Sequence, residues 1–178
     1  FTPTETQSLT SRAVTALLAD RHDFESRRRR LATGATHDPT LWSELASLGL
    51  TGVEIAEAYG GSGGDFADLA AVLQPFGAAL VNAPFIASTV MATDLLRIAG
   101  TAARKADCLP RLVSGEQIAA VAHAERRARD QLAWVETQAV RHADGWRFDG
   151  AKAVVMGGDA AGLFLVSARM SGAANYET

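Results

Sequence analysis

Near Gly115 the apolar residues of this chain stop recurring at helical spacing and begin to recur at strand spacing. That change of period restricts the fold more than any single motif. Upstream, Thr4 can cap a helix carrying Leu9, Ala13, Val14, Leu17 and Leu18, and a second helix runs from about Asp23 to Leu31. Asp38-Pro39 is an N-cap followed by proline at the first helical position, with Leu41, Trp42, Leu45 and Leu48 on one face and Gly49 at the end. Tyr59 to Gly64 is a glycine-rich loop, after which Asp65 caps a helix bearing Leu69, Val72, Leu73 and Phe76. Ile86 to Ile98 is apolar or small on almost every side, which predicts a buried helix closed by Gly100. A last helix, Ala102 to Val113, is expected to be interrupted or bent at Pro110 and stopped by Gly115.

Downstream, Ile118 to Ala122 has the length of a buried strand, and Leu132 to Val140 alternates loosely. Turn signals at Ala143-Asp144-Gly145 and Asp149-Gly150 bracket Trp146-Arg147-Phe148. Ala153 to Met156 and Leu163 to Ala168 read as two further strands. Helices first and strands afterwards predict an α+β fold in two parts, 1–115 and 116–178. Trp134 and Trp146 are expected to pack on the sheet.

Composition narrows the function. With 48% hydrophobic and 21% charged residues the chain is that of a globular protein, and a net charge of −3 gives no field for nucleic acid. Arg27 to Arg30 reads as the solvated face of a helix or as a contact for a partner or anion. The single cysteine, Cys108, excludes an intrachain disulfide, has no metal-ligand cluster beside it and reads as buried filler. That usage fits a reducing cytoplasm. No leader-like apolar region opens the chain and no run is long enough to span a membrane. The glycines of residues 60–64 are not a P-loop, because no Lys-Ser/Thr follows them.

Several phrases, in order, resemble the acyl-CoA dehydrogenase family. They are Leu41-Trp42-Ser43-Glu44-Leu45-Ala46-Ser47-Leu48-Gly49-Leu50, Tyr59-Gly60-Gly61-Ser62-Gly63-Gly64, and Leu109-Pro110-Arg111-Leu112-Val113-Ser114-Gly115-Glu116. Asp144-Gly145-Trp146-Arg147-Phe148-Asp149-Gly150-Ala151-Lys152 and Leu163-Phe164-Leu165-Val166-Ser167-Ala168-Arg169 complete the set. The resemblance implies an N-terminal all-helical domain over 1–115 and the first part of an antiparallel β-barrel-like middle domain over 116–178. The family's C-terminal four-helix domain lies outside this chain, and with it the glutamate base, so no catalytic residue is nominated and the chain alone is expected to be inactive. The implied activity is α,β-desaturation of an acyl-CoA thioester, with FAD as cofactor and hydride passing to flavin N5. An electron-transfer acceptor and a homo- or hetero-oligomer are implied as partners, with no nucleic acid and no membrane insertion.

The family's Thr-Glu-Pro reads here Ala124-Glu125-Arg126, and its Lys-x-Trp-Ile-Thr-Asn-Gly reads Lys152-Ala153-Val154-Val155-Met156-Gly157-Gly158. The side-chain hydroxyls are thereby lost, about 1 kcal/mol for each neutral hydrogen bond, whereas main-chain amides survive substitution. His123-Ala124-Glu125-Arg126 with its arginine-rich turn is similar to the small-subunit branch, which acts on pimeloyl-type or steroid side-chain thioesters. The resemblance makes His123, Ala124, Glu125, Val154, Val155 and Met156 cofactor-binding candidates, and Arg126, Arg129 and Asp130 substrate-binding candidates. Glu125 either stands beside flavin or thioester or pairs with Arg126 or Arg127. His123 is a proton carrier or a satisfied strand histidine. The Ile86 to Ile98 helix is core, acyl-tunnel lining, or both. Two alternatives stand beside the dehydrogenase reading: a non-catalytic structural partner subunit, and a flavin monooxygenase or acyl-CoA oxidase on the same fold.

Overall fold

In the computed structural model, residues 2–129 and 131–170 are described. Six α-helices precede the strands: α1 Glu5–Arg21, α2 Phe24–Ala32, α3 Pro39–Ser47, α4 Phe66–Ala78, α5 Thr93–Ala99 and α6 Ala102–Val113. The local start signals act as expected. Thr4 and Asp65 each close a capping box, and Asp38 accepts from the Thr40 and Leu41 amides ahead of Pro39. The glycine-rich loop is pinned rather than loose. Ser62, Gly63 and Gly64 donate to the carbonyls of Gly52, Ile55 and Val53.

Two helical expectations are corrected. Ile86–Ala92 is a π-helical segment that runs directly into α5. There Thr93 Oγ1 donates to the Ser88 carbonyl at 3.0 Å, and buried Ser88 Oγ accepts from the Ala119 amide at 3.0 Å. α6 is not interrupted at Pro110, because a proline near a helix end removes only one backbone bond.

One core joins α1, α3 and α4 through Val14, Leu18, Leu45, Leu69, Val72 and Phe85. A second, containing Ile55, Leu96, Cys108, Leu109, Leu112 and Ala119, carries the packing from α6 into the first strand. The hand-over is fixed by polar contacts as well. Trp42 Nε1 donates to the Gly115 carbonyl at 3.0 Å and Thr51 Oγ1 to the Val113 carbonyl at 2.6 Å. Gly115 sits at φ +71°, and a Cβ there would lie 2.6 Å from Ala46 Cβ, so only glycine lets the chain turn here.

The strands are β1 Ala119–Ala122, β2 Gln138–His142, β3 Gly145–Asp149 and β4 Leu163–Val166. The small sheets are not antiparallel throughout. β2 and β3 pair antiparallel, but β1 and β4 pair parallel, Ala119 opposite Leu163, with residues 123–162 forming the crossover between them. The strand expected over 132–140 begins only at Gln138, because the amides of Glu136 and Thr137 donate to the Glu125 carboxylate instead of to a ladder. The strand expected over 153–156 does not form, since Val154 has φ +53°, incompatible with extended backbone. Trp146 is 45% exposed and lies against cross-strand Arg141, 5.5 Å from ring centroid to guanidinium, rather than in a core. Among the described residues no helix is long and apolar enough to cross a membrane.

Candidate functional site

Two segments meet at the end of β1. The Ala153 amide donates to the Ala124 carbonyl at 2.8 Å, laying residues 152–156 beside 123–125. Behind this seam lies a buried polar hub. Lys152 Nζ donates to Glu125 Oε1 at 2.7 Å, Ser167 Oγ at 3.0 Å and the His123 carbonyl at 3.2 Å. Glu125 also accepts from the Thr137 hydroxyl at 2.6 Å and from the amides of Thr137 at 2.9 Å and Glu136 at 2.6 Å. Burial pushes the Glu125 carboxyl up, but the bonds from Lys152, Thr137 and Glu136 outweigh it and bring the pKa down to about 2.

The expected Glu125 pairing with Arg126 or Arg127 is therefore corrected. Its partner is Lys152, whose ammonium reaches the buried carboxylate, while Arg127 projects outward to Glu136 at 3.1 Å. Glu125 is 5% exposed and turns inward. His123 is satisfied on both sides. Its Nε2 lies 2.7 Å from the Leu132 carbonyl and so carries the proton, leaving Nδ1 to accept from the Ser167 hydroxyl at 2.9 Å.

The outward side of the seam is different in kind. Val154 is 95% exposed and Met156 56% exposed, and Ala124 is exposed beside them. Among the described residues, no protein group accepts from the amides of Val154, Val155 and Met156. Three consecutive donors bordered by uncovered apolar side chains suit a flat, apolar ring with acceptor atoms along one edge. A β-branched residue in the left-handed region, as at Val154, is the kind of strain that collects at functional sites.

Arg126 and Arg129 are exposed in the turn after the hub and form no ion pair among the described residues. Asp130, grouped with them by sequence, lies outside the described residues. Beside the seam opens a cavity of about 700 Å³ between the end of α4, the 80–87 segment and the turn that starts at Met156. Ile86 and Ala87 line it, whereas Ala92 and Leu96 belong to the second core, so the apolar helix divides its roles along its length. The sequence reading missed Lys152, Ser167, Thr36, His37 and Asp159. Of these Lys152 and Ser167 had a signal, their places in quoted phrases. Among the described residues no group of three or more His, Cys, Asp or Glu could hold a metal.

The model of the acyl-CoA dehydrogenase N-terminal domain matches residues 4–116. Acyl-CoA dehydrogenase IpdE2 of Mycolicibacterium smegmatis is 32% identical over 118 residues, covering 66% of this chain and 36% of that protein. Among solved structures, the Tcur3481-Tcur3483 steroid ACAD variant superposes with a TM-score of 0.82 at 32% identity, covering 92% of this chain and 45% of that one. The ChsE4-ChsE5 complex from Mycobacterium tuberculosis gives a TM-score of 0.82 at 26% identity, with coverages of 95% and 45%. This chain thus spans less than half the length of these relatives. The helical order, the α+β hand-over and the match over 4–116 agree: the chain belongs to the acyl-CoA dehydrogenase family.

Proposed function

We propose that the chain is part of an FAD-dependent acyl-CoA dehydrogenase subunit, with residues 1–115 as the helical domain and 116–178 as the start of a barrel-like β-domain. The observation that carries this reading is the row of unpartnered Val154, Val155 and Met156 amides beside exposed Val154, Met156 and Ala124. These residues would hold the edge and one face of the isoalloxazine, with His123 and Glu125 acting behind them as positioning groups. When bound, FAD supplies the hydride acceptor for α,β-desaturation of the thioester. The chain's own contribution is orientation and exclusion of water. The Lys152–Glu125 hub holds the two segments in register, and Ile86, Ala87 and Phe85 offer the acyl group an apolar wall.

Arg126 and Arg129, exposed in one turn, suit the phosphates of CoA, because guanidinium forks match phosphate oxygens. No proton-abstracting residue is assigned to this chain. Likeness to the ChsE4-ChsE5 complex supports an assembly with a second acyl-CoA dehydrogenase subunit, and the outward apolar residues Phe164 and Val166 of β4 give such contacts a surface. The reoxidising partner is then an electron-transfer protein, in the cytoplasm.

Purified whole protein incubated with FAD, with its partner subunit where one exists, is expected to be yellow and to bleach when an acyl-CoA is added. A colourless protein that takes up no flavin overturns the reading. One observation favours a second reading, a non-catalytic partner: Ala124 and Met156 place no hydroxyl at the exposed seam. In that case Ala124→Thr combined with Val154→Trp leaves turnover at zero, whereas a gain of turnover supports the enzyme.

A further inference from the structure

The cavity beside the seam is of the size that encloses small ligands, for which about 300–1,000 Å³ is usual. Most of its wall is apolar, with Leu73, Phe76, Val81, Phe85 and Ile86 prominent. Its floor is the turn from Met156 to Ala160, which seats closely on the π-helical segment. A Cβ at Gly157, where φ is +67°, would lie 2.9 Å from Ala87 Cβ and 3.4 Å from Pro84 Cβ. That close approach carries Asp159 to the cavity, opposite Thr36 and His37 from the α2–α3 connection. Hydrogen bonding from Thr36 holds the Asp159 carboxyl below its ordinary range, more than burial raises it, helped by its own amide, that of Ala160 and the His37 ring. No lysine or arginine is among the described residues that line the cavity.

We propose that this cavity takes the far end of the acyl group, and that Asp159, supported by Thr36 and His37, selects a neutral end bearing a hydroxyl over an end bearing a carboxylate. The inference rests on the acyl-CoA reading and adds to it the residues that choose the substrate. An ionised carboxylate is an acceptor only, so it pairs with a hydroxyl donor and repels a second carboxylate. Asp159 itself is exposed to solvent, so this repulsion acts where the cavity opens and weakens with added salt. Among the described residues, the cavity lining offers a second carboxylate no lysine or arginine to offset its lost hydration.

The test compares three thioesters of equal chain length on the whole flavin-loaded protein: an unsubstituted acyl-CoA, its ω-hydroxy form and its ω-carboxy form. Turnover and thioester binding are both measured. The expected result is at least about a tenfold preference, in binding and in kcat/KM, for the hydroxy over the carboxy form, the scale of one hydrogen bond to a charged group. Asp159→Asn should shrink that ratio toward unity and Asp159→Lys should invert it. Thr36→Val, which keeps the charge, should lower the ratio less than Asp159→Asn. A ratio that is the same in wild type, Asp159→Asn and Asp159→Lys, or a wild-type preference for the carboxy form, overturns the proposal while leaving the acyl-CoA reading intact. Failure of all three thioesters to bind or react overturns both.

Discussion

Lys152 Nζ lies 2.7 Å from Glu125 Oε1, with side-chain exposures of 9% and 3%. Residues 131–137 are organised around that pair, because the same carboxylate also receives the Glu136 and Thr137 amides. Removing one partner strands a buried charge. Lys152→Met is expected to lower unfolding free energy by about 3–5 kcal/mol. Combining it with Glu125→Gln should recover part of that loss, read by urea denaturation of both singles and the double.

The same carboxylate makes stability fall in acid. Its folded pKa of about 2 lies below the 4.5 of an ordinary glutamate. Its contribution is therefore complete above about pH 4.5 and is lost as pH falls from there toward about 2. From neutral pH to about pH 3 this group alone should remove about 2 kcal/mol. Glu125→Gln, although less stable at neutral pH, should show a flatter slope over that window in urea titrations. An unchanged slope would mean the group does not titrate as described.

The turn at Gly115 should tolerate no side chain. Gly115→Ala forces a Cβ to within 2.6 Å of Ala46 at positive φ, an expected loss of about 1–3 kcal/mol in thermal or chemical unfolding. Adding Ala46→Gly relieves the contact but not the backbone strain, so recovery should be partial.

Val154 predicts a change of opposite sign. At φ +53° and 95% exposure its side chain imposes backbone strain without any burial to offset it. Val154→Gly should raise stability, by about 0.5–1 kcal/mol, the excess of left-handed strain over the entropy that glycine adds. If the seam holds flavin, the same change should weaken FAD uptake. A stability gain with no change in FAD affinity would remove Val154 from the proposed site.

Much of the helical part is legible in the chain because its signals are local. Thr4, Asp38 and Asp65 cap helices within three residues of themselves, and Gly115 marks a stop that only glycine can make. The β part reads less well because long-range bonds override period. The loose alternation over 132–140 reads as a strand, yet a carboxylate 11 and 12 residues away takes the Glu136 and Thr137 amides. Val154 sits in an apolar run that looks extended, and nothing in its neighbours announces a positive φ. The π-helical segment keeps a helical pattern, while the Ser88 bond to Ala119 spans 31 residues. The cavity's polar group was least visible, since Thr36 and His37 meet Asp159 from the other end of the chain.

The parallel ladder between β1 and β4 carries a consequence for biosynthesis. β1 leaves the ribosome with its helical neighbours but cannot find its partner until Leu163–Val166 follows. The helical part can fold once α6 has emerged, because its helices all precede β1 in the chain, whereas the ladder must wait for β4 and close a loop. A nascent or clipped chain ending before Leu163 therefore presents Ala119–Ala122 as a bare apolar edge, the form in which a strand recruits another copy of itself.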